Sequence, residues 1–187
     1  MNILISAVGG QGALLTSRIL GKLALNLNLD VKVSEVHGMS QRGGSVVTYV
    51  KFGEVIYSPI VEKGTADVVL AFELLEGARY ASYLKRKGTL IVSNQRIDPM
   101  PVISGVMEYP DRLVEELREL PISLYNVNAV ELAEKAGSIR ATNVVLLGVL
   151  AKTTNIEKYE WTKAIVETVP KGLLEINLKA FDLGCNI

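Results

Sequence analysis

Cysteine is almost missing from this chain: Cys185 is the only one in 187 residues. A lone thiol excludes an internal disulfide, and it excludes an iron–sulfur cluster held by four thiolates of this chain. Histidine is equally scarce, with His37 the single example. Net charge is also lacking, since Lys+Arg and Asp+Glu both number 20 and the basic residues are scattered rather than striped. No global field therefore argues for a nucleic-acid partner. No apolar run approaches the ~20 residues that span a bilayer. The opening Met1-Asn2-Ile3-Leu4-Ile5 has no basic segment of the kind that heads a secretory signal. The expectation is a cytoplasmic chain without a membrane partner. Low-complexity stretches and Pro/Ser-rich linkers are missing too, which predicts one domain over residues 1–187.

What is present begins at once. The apolar run Ile3 to Ala7 reads as a buried strand that breaks into Val8-Gly9-Gly10-Gln11-Gly12, and a helix is predicted from Gln11 to Leu27 with Leu14, Leu15, Ile19, Leu20 and Leu23 apolar. A strand that ends in glycines and opens a helix leaves backbone N–H groups directed at one spot, where an anion can be held. The dinucleotide fingerprint places glycines first, third and sixth, and those places here hold Ala7, Gly9 and Gly12. The turn is a binding signature without a cofactor assignment.

Asp30 to Val36 alternates as a second strand, so the first 36 residues read as a βαβ unit with parallel strands. Ser45 to Phe52 and Val55 to Ile60 flank Gly53-Glu54, a pairing that predicts an inserted hairpin. The pattern then gives a strand over Asp67 to Phe72, a helix from Leu74 to Arg86, and a strand over Thr89 to Ser93. In that helix Leu74, Ala78, Ala81 and Leu84 share one face, and Lys85-Arg86-Lys87 before Gly88 suits a helix C-terminus. Residues 95–110 read as loop with a short strand at Gly105 to Met107. A helix over Asp111 to Leu120, a strand over Ile122 to Asn126 and a helix over Ala129 to Ala136 follow, and the chain is helical from Thr142 with breaks near Thr154-Asn155 and Pro170. The fold class is α/β: a three-layer, doubly wound, mostly parallel sheet with an inserted β-hairpin and a helical C-terminal segment. Val144 to Leu150 is apolar almost all round, which predicts burial in the domain or in a subunit interface. With 49% apolar residues overall, self-association of the isolated chain is expected.

A second constellation runs from Glu35 through Val36, His37, Gly38, Met39, Ser40, Gln41, Arg42 and Gly43 to Gly44. Ligands of open α/β sheets sit outside the carboxyl ends of the parallel strands, so this loop and the glycine turn should be neighbours. Arg42 can hold a phosphate or carboxylate with a forked pair of hydrogen bonds, Ser40 and Gln41 add neutral donors and acceptors, and Gly43-Gly44 admits close backbone approach. Each has a plainer reading: Arg42 as a surface ion-pair partner, Glu35 as an ordinary strand residue rather than a ribose-binding acid, His37 as a strand-end hydrogen-bonding group rather than an acid or base. Arg140-Ala141-Thr142-Asn143 forms a third element, where Thr142 or Asn143 caps the following helix or Asn143 contacts a ligand.

These residues resemble the gamma-type domain of the 2-oxoacid:ferredoxin oxidoreductases. The likeness rests on Val8-Gly9-Gly10-Gln11-Gly12, on Glu35 to Gly44, and on Asp67-Val68-Val69-Leu70-Ala71 followed by Glu73; Ala7 stands where that family usually has glycine. The resemblance implies an accessory subunit of a thiamine-diphosphate-dependent enzyme, with indolepyruvate or another arylpyruvate as the 2-oxoacid, that is not competent alone. It places thiamine diphosphate, Mg²⁺ and the iron–sulfur clusters on a larger alpha subunit and has ferredoxin accept electrons through the complex. Gly9, Gly10, Gln11, Gly12, Ser40, Gln41, Arg42, Gly43 and Asn143 are then the candidate binding residues toward coenzyme A, His37 is the one candidate acid or base, and no metal site is expected here. Two other readings stay open: a free-standing nucleotide- or flavin-binding protein, and a purely structural assembly subunit.

Overall fold

The structure, a computed structural model, describes residues 1–37 and 44–187, with His37 described by its backbone alone. In chain order the elements are β1 (Asn2–Val8), α1 (Ala13–Asn26), β2 (Asp30–His37), β3 (Ser45–Gly53), β4 (Ala66–Ala71), α2 (Leu74–Tyr80), β5 (Leu84–Ser93), α3 (Met100–Ile103), α4 (Leu113–Arg118), β6 (Ser123–Val127), α5 (Ala129–Ala136), α6 (Thr142–Lys152), α7 (Lys158–Thr168) and α8 (Leu174–Cys185). The strands form one sheet in the order β2-β3-β1-β4-β5-β6. β3 is antiparallel to both neighbours, whereas β1, β4, β5 and β6 run parallel.

β1 lies inside the sheet, and strand side chains alternate between faces, so a strand covered on both sides is apolar throughout. Ile3, Ile5 and Ala7 join the core under α1, α5, α6, α7 and α8, while Leu4 joins the opposite core with Val69, Leu90 and Val92 under α2 and α4. The three-layer arrangement follows directly.

The inserted antiparallel piece differs from its sequence reading. Val55 to Ile60 forms no strand; Asp30 Oδ2 instead accepts the Ile56 N–H at 2.9 Å. The antiparallel partner of β3 on the outer side is β2, with Asp30 opposite Gly53 and His37 opposite Val46. β1 and β2 do run the same way, but β3 lies between them. The predicted helix over Leu74 to Arg86 also stops early, at Tyr80, followed by one 3₁₀ turn at Ala81–Tyr83. Lys85, Arg86 and Lys87 belong to β5: Lys85 pairs with Asp67, Lys87 has φ +63°, and no helix end is there for the cations to serve. Residues 105–107 form no strand, and a single helical turn, α3, precedes them.

The apolar helix α6 is buried inside the chain, with Val144 to Leu150 fully enclosed. It crosses α8 at glycines. A Cβ on Gly148 would stand 2.2 Å from the Phe181 carbonyl oxygen, and one on Gly184 would stand 2.0 Å from that of Val145.

Candidate functional site

The chain leaves β1 toward β2 on one side of the sheet, and β4 lies on the other side. A doubly wound sheet opens its crevice where that reversal occurs, at the carboxyl ends of β1 and β4. Gln11 bridges this crevice. Its Oε1 accepts the Val8 N–H at 2.7 Å, and its Nε2 donates to the Phe72 carbonyl at 3.0 Å and to Gln95 Oε1 at 2.9 Å.

Gly10 and Gly12 have φ of +100° and +91°, values that side chains with a Cβ rarely adopt. The turn consumes several of its own donors: Gly9 N–H goes to the Gly44 carbonyl at 2.9 Å and Gln11 N–H to that of Val8 at 3.2 Å. The donors left for an anion are those of the first turn of α1, which has no side-chain cap and no acidic residue. Ala7 does not face this space; its side chain joins the core beneath α1.

Asn143 holds the turn from behind. It is 1% exposed, and its Nδ2 donates to the Gly12 carbonyl and to Thr16 Oγ1, both at 3.2 Å. It caps nothing: α6 starts after Ala141 without a side-chain cap, and Thr142 Oγ1 donates to the Ile139 carbonyl. A Cβ on Gly12 would approach Asn143 Nδ2 to 2.9 Å, so glycine is required there by both conformation and space.

In front of the turn is a cleft of about 310 Å³ lined by Gly10, Gln11, Gly12, Phe72, Gln95, Ile139, Arg140 and Thr142. Among the described residues no carboxylate lines it, and Arg140 is the one charged residue of the lining. Sequence reasoning noticed the Arg140–Asn143 element but singled out Asn143 as the ligand contact. Gln95 carried no sequence signal, because only the sheet order brings it to Gln11. Ser40, Gln41, Arg42 and Gly43 lie outside the described residues, as does the His37 side chain. The flanks of that segment are placed: His37 ends β2, and Gly44 is bonded to Gly9.

A second cavity, of about 480 Å³, opens on the α2 side of the same sheet end. Its floor holds two buried carboxylates. Glu73 caps α2, with Oε2 accepting the Glu76 N–H at 2.8 Å and Oε1 accepting from Tyr109 Oη at 2.7 Å and Ile97 N–H at 3.2 Å. Glu76 accepts from Ser45 Oγ at 2.5 Å and sits 3.4 Å from Arg79 Nε. Burial pushes the Glu76 carboxyl above the usual carboxylate range, with the charge of Glu73 adding to the rise, against the opposing pull of Ser45 and Arg79. A raised native value means that the folded state holds the proton more tightly than the unfolded one. The Glu76 contribution is thus full at acid pH and is lost as pH rises through the ordinary carboxylate range and above it. Glu76→Gln, neutral at every pH, is expected to remove this decline, as read by comparing thermal unfolding of the two proteins from pH 4 to pH 8.

A family model described as pyruvate ferredoxin/flavodoxin oxidoreductase matches residues 2–187. The chain belongs to that family. An indolepyruvate oxidoreductase subunit IorB of Archaeoglobus fulgidus is 42% identical, over 100% of this chain and 94% of its own length. A 2-oxoglutarate synthase subunit KorC of Methanocaldococcus jannaschii is 31% identical, over 99% of this chain and 92% of its own. The fold is that of a keto/oxoacid ferredoxin oxidoreductase gamma subunit from Geobacter sulfurreducens, with a TM-score of 0.74, 24% identity, and coverage of 99% of this chain and 96% of that one. Within the pyruvate ferredoxin/flavodoxin oxidoreductase family this chain is an accessory subunit of a 2-oxoacid:ferredoxin oxidoreductase. Among the described residues, no helix is long and apolar enough to cross a membrane.

Proposed function

We propose that this chain, as one domain over residues 1–187, completes the active-site region of a cytoplasmic enzyme that decarboxylates an arylpyruvate, most readily indolepyruvate, to an acyl-coenzyme A. Support for the substrate is the 42% identity to indolepyruvate oxidoreductase subunits. In this reading a larger alpha subunit carries thiamine diphosphate, Mg²⁺ and the clusters that reduce ferredoxin. The part assigned to this chain is to hold the diphosphate end of coenzyme A in the α1 cleft. The observation that carries it is the lining itself: an uncapped helix start, two left-handed glycines, an arginine and, among the described residues, no carboxylate. An anion finds only favourable partners there. Gln11 closing the crevice between β1 and β4 counts against a dinucleotide or flavin lying across it.

The chain's residues then act by binding and orientation. Arg140, joined by Arg42, neutralises phosphate charge, while the first-turn N–H groups and the Gln11, Ser40, Gln41 and Gly43 segment fix its position. Asn143 keeps Gly12 in the required conformation. Arg140→Ala and Arg42→Ala are each expected to raise the coenzyme A KM of the assembled enzyme about tenfold, the worth of one charge-assisted hydrogen bond. The kcat at saturating coenzyme A and the subunit ratio on gel filtration should stay as in wild type. An unchanged KM together with a complex that falls apart would show that the cleft serves the partner chain instead, and an unchanged KM alone would refute the assignment to coenzyme A.

A further inference from the structure

Between β5 and α4 the chain builds a knob. Val102 and Ile103 N–H groups donate to the Pro99 carbonyl, and Val106 and Met107 N–H groups donate to that of Pro101, so residues 99–107 are closed by their own backbone. Tyr109 anchors the far end on Glu73. The knob is nonetheless apolar outward: Met100, Ile103, Val106 and Met107 are 68%, 67%, 77% and 63% exposed. Four large apolar side chains exposed within eight residues are the kind of surface that marks an interaction site. Its closed backbone reduces the ordering cost of using it.

Charge selects the occupant. Met100, Pro101 and Ile103 form one wall of the 480 Å³ cavity, whose polar lining is Ser45, three carboxylates (Glu73, Glu76, Asp98) and one guanidinium (Arg79). Asp98 is paired with Arg96 at 2.6 Å, and the excess of acid continues along the chain, for Arg96 to Glu119 holds six acidic residues against Arg96, Arg112 and Arg118. A hollow of about 90 Å³, mostly apolar but with Arg79 and Glu108 also in its lining, has room for one aliphatic side chain. We infer that the 97–108 knob and the cavity beneath it dock a segment of the large partner subunit that carries a lysine or arginine flanked by aliphatic residues. The aliphatic groups cover Met100, Ile103, Val106 and Met107, and the cation extends over Asp98 and Glu76. This surface lies on the α2 side and is separate from the cleft assigned to coenzyme A. A second copy of this chain fits less well, because a two-fold contact through the same patch would set its excess of carboxylates against that of the other copy.

The test uses the tagged full chain, purified with its complex from the producing cells in the absence of coenzyme A. Ile103→Lys and Glu108→Lys should each reduce the molar ratio of large subunit recovered by at least tenfold. Wild-type recovery should fall as salt is raised from 50 to 500 mM. Tyr57→Lys, which changes a side chain 94% exposed on another loop, should recover the complex as wild type does. Thermal unfolding of each variant separates lost docking from lost folding. Wild-type recovery by both knob variants overturns the inference. So does loss with Ile103→Lys alone together with salt-independent recovery, because the partner is then apolar without the cation. Disruption of a self-associated form of this chain, with the large subunit still bound, would assign the knob to a second copy and overturn it as well. None of these results bears on the coenzyme A KM, so the cleft and the knob fail or survive separately.

Discussion

Alanine at Gly184 is expected to lower the thermal midpoint of the chain by about 10 °C. α8 lies on α6 with backbone against backbone: the added Cβ would stand 2.0 Å from the Val145 carbonyl oxygen and 3.0 Å from the Gly148 Cα. Neither is the end of a flexible side chain, so the helices must move apart, and with them Val144, Val145, Leu147, Ala180 and Phe181, all fully enclosed in the larger core. Overpacking of this kind costs about 3 kcal/mol. For a domain of this size each kcal/mol shifts the midpoint by roughly 2–4 °C. Intrinsic propensity points the other way, since alanine is favoured over glycine in a helix by about 1 kcal/mol. The sign of the measured shift therefore decides which effect dominates. Gly148→Ala should behave like Gly184→Ala, whereas Gly172→Ala, with nothing within 4 Å of the added Cβ, should leave the midpoint within error of wild type. Differential scanning calorimetry of the three variants would show it, and an unchanged midpoint for Gly184→Ala would refute the close crossing.

The inner parallel strands β1 and β4 were legible because they are covered on both faces and read as apolar runs, Ile3-Leu4-Ile5 and Val68-Val69-Leu70-Ala71. The glycine turn was legible for a different reason: only glycine tolerates the φ values at positions 10 and 12. Sequence patterns failed where a distant partner decides the outcome. Val55 to Ile60 alternates well enough for a strand, but β3 already has β2 and β1 on its two sides, and no free edge remains for it. Lys85-Arg86-Lys87 before Gly88 suits a helix end, yet Asp67 claims Lys85, and a Cβ on Gly88 would meet the Lys85 carbonyl at 2.9 Å. In the site, the Arg140 element was visible and its members' roles were not. Asn143 has the more ligand-like chemistry, but the side chain that lines the cleft is Arg140, while Asn143 is buried behind Gly12. Self-association was expected partly from α6; that helix is consumed inside the fold, and the densest run of exposed apolar residues along the described chain is at 100–107 instead.

Glu73→Ala is expected to be the most damaging single change on the α2 side of the sheet, at roughly 4 kcal/mol. The Glu73 side chain is 1% exposed and accepts from three donors: the Glu76 N–H that starts α2, the Ile97 N–H and the Tyr109 hydroxyl. Truncation leaves two backbone donors and a buried phenol without an acceptor, at about 1–3 kcal/mol for each group that water cannot reach, and α2 loses a cap worth about 1 kcal/mol. Burial, reinforced by the same carboxylate, holds the Tyr109 phenol far above the usual tyrosine range, so the hydroxyl remains a donor throughout the pH range in which the protein is handled. Glu73→Gln separates the contributions. Its carbonyl can keep Tyr109 and Ile97, but the amide then faces the Glu76 N–H, so the cap is lost and the knob anchor survives. Tyr109→Phe does the reverse. Urea unfolding should therefore rank Glu73→Ala as much less stable than either conservative variant. If the knob is an interface, Tyr109→Phe should also weaken recovery of the partner subunit more than Glu73→Gln does, despite a similar loss of stability. Equal losses for Glu73→Ala and Glu73→Gln, with Tyr109→Phe close to wild type, would mean that Glu73 acts through its charge rather than through these bonds.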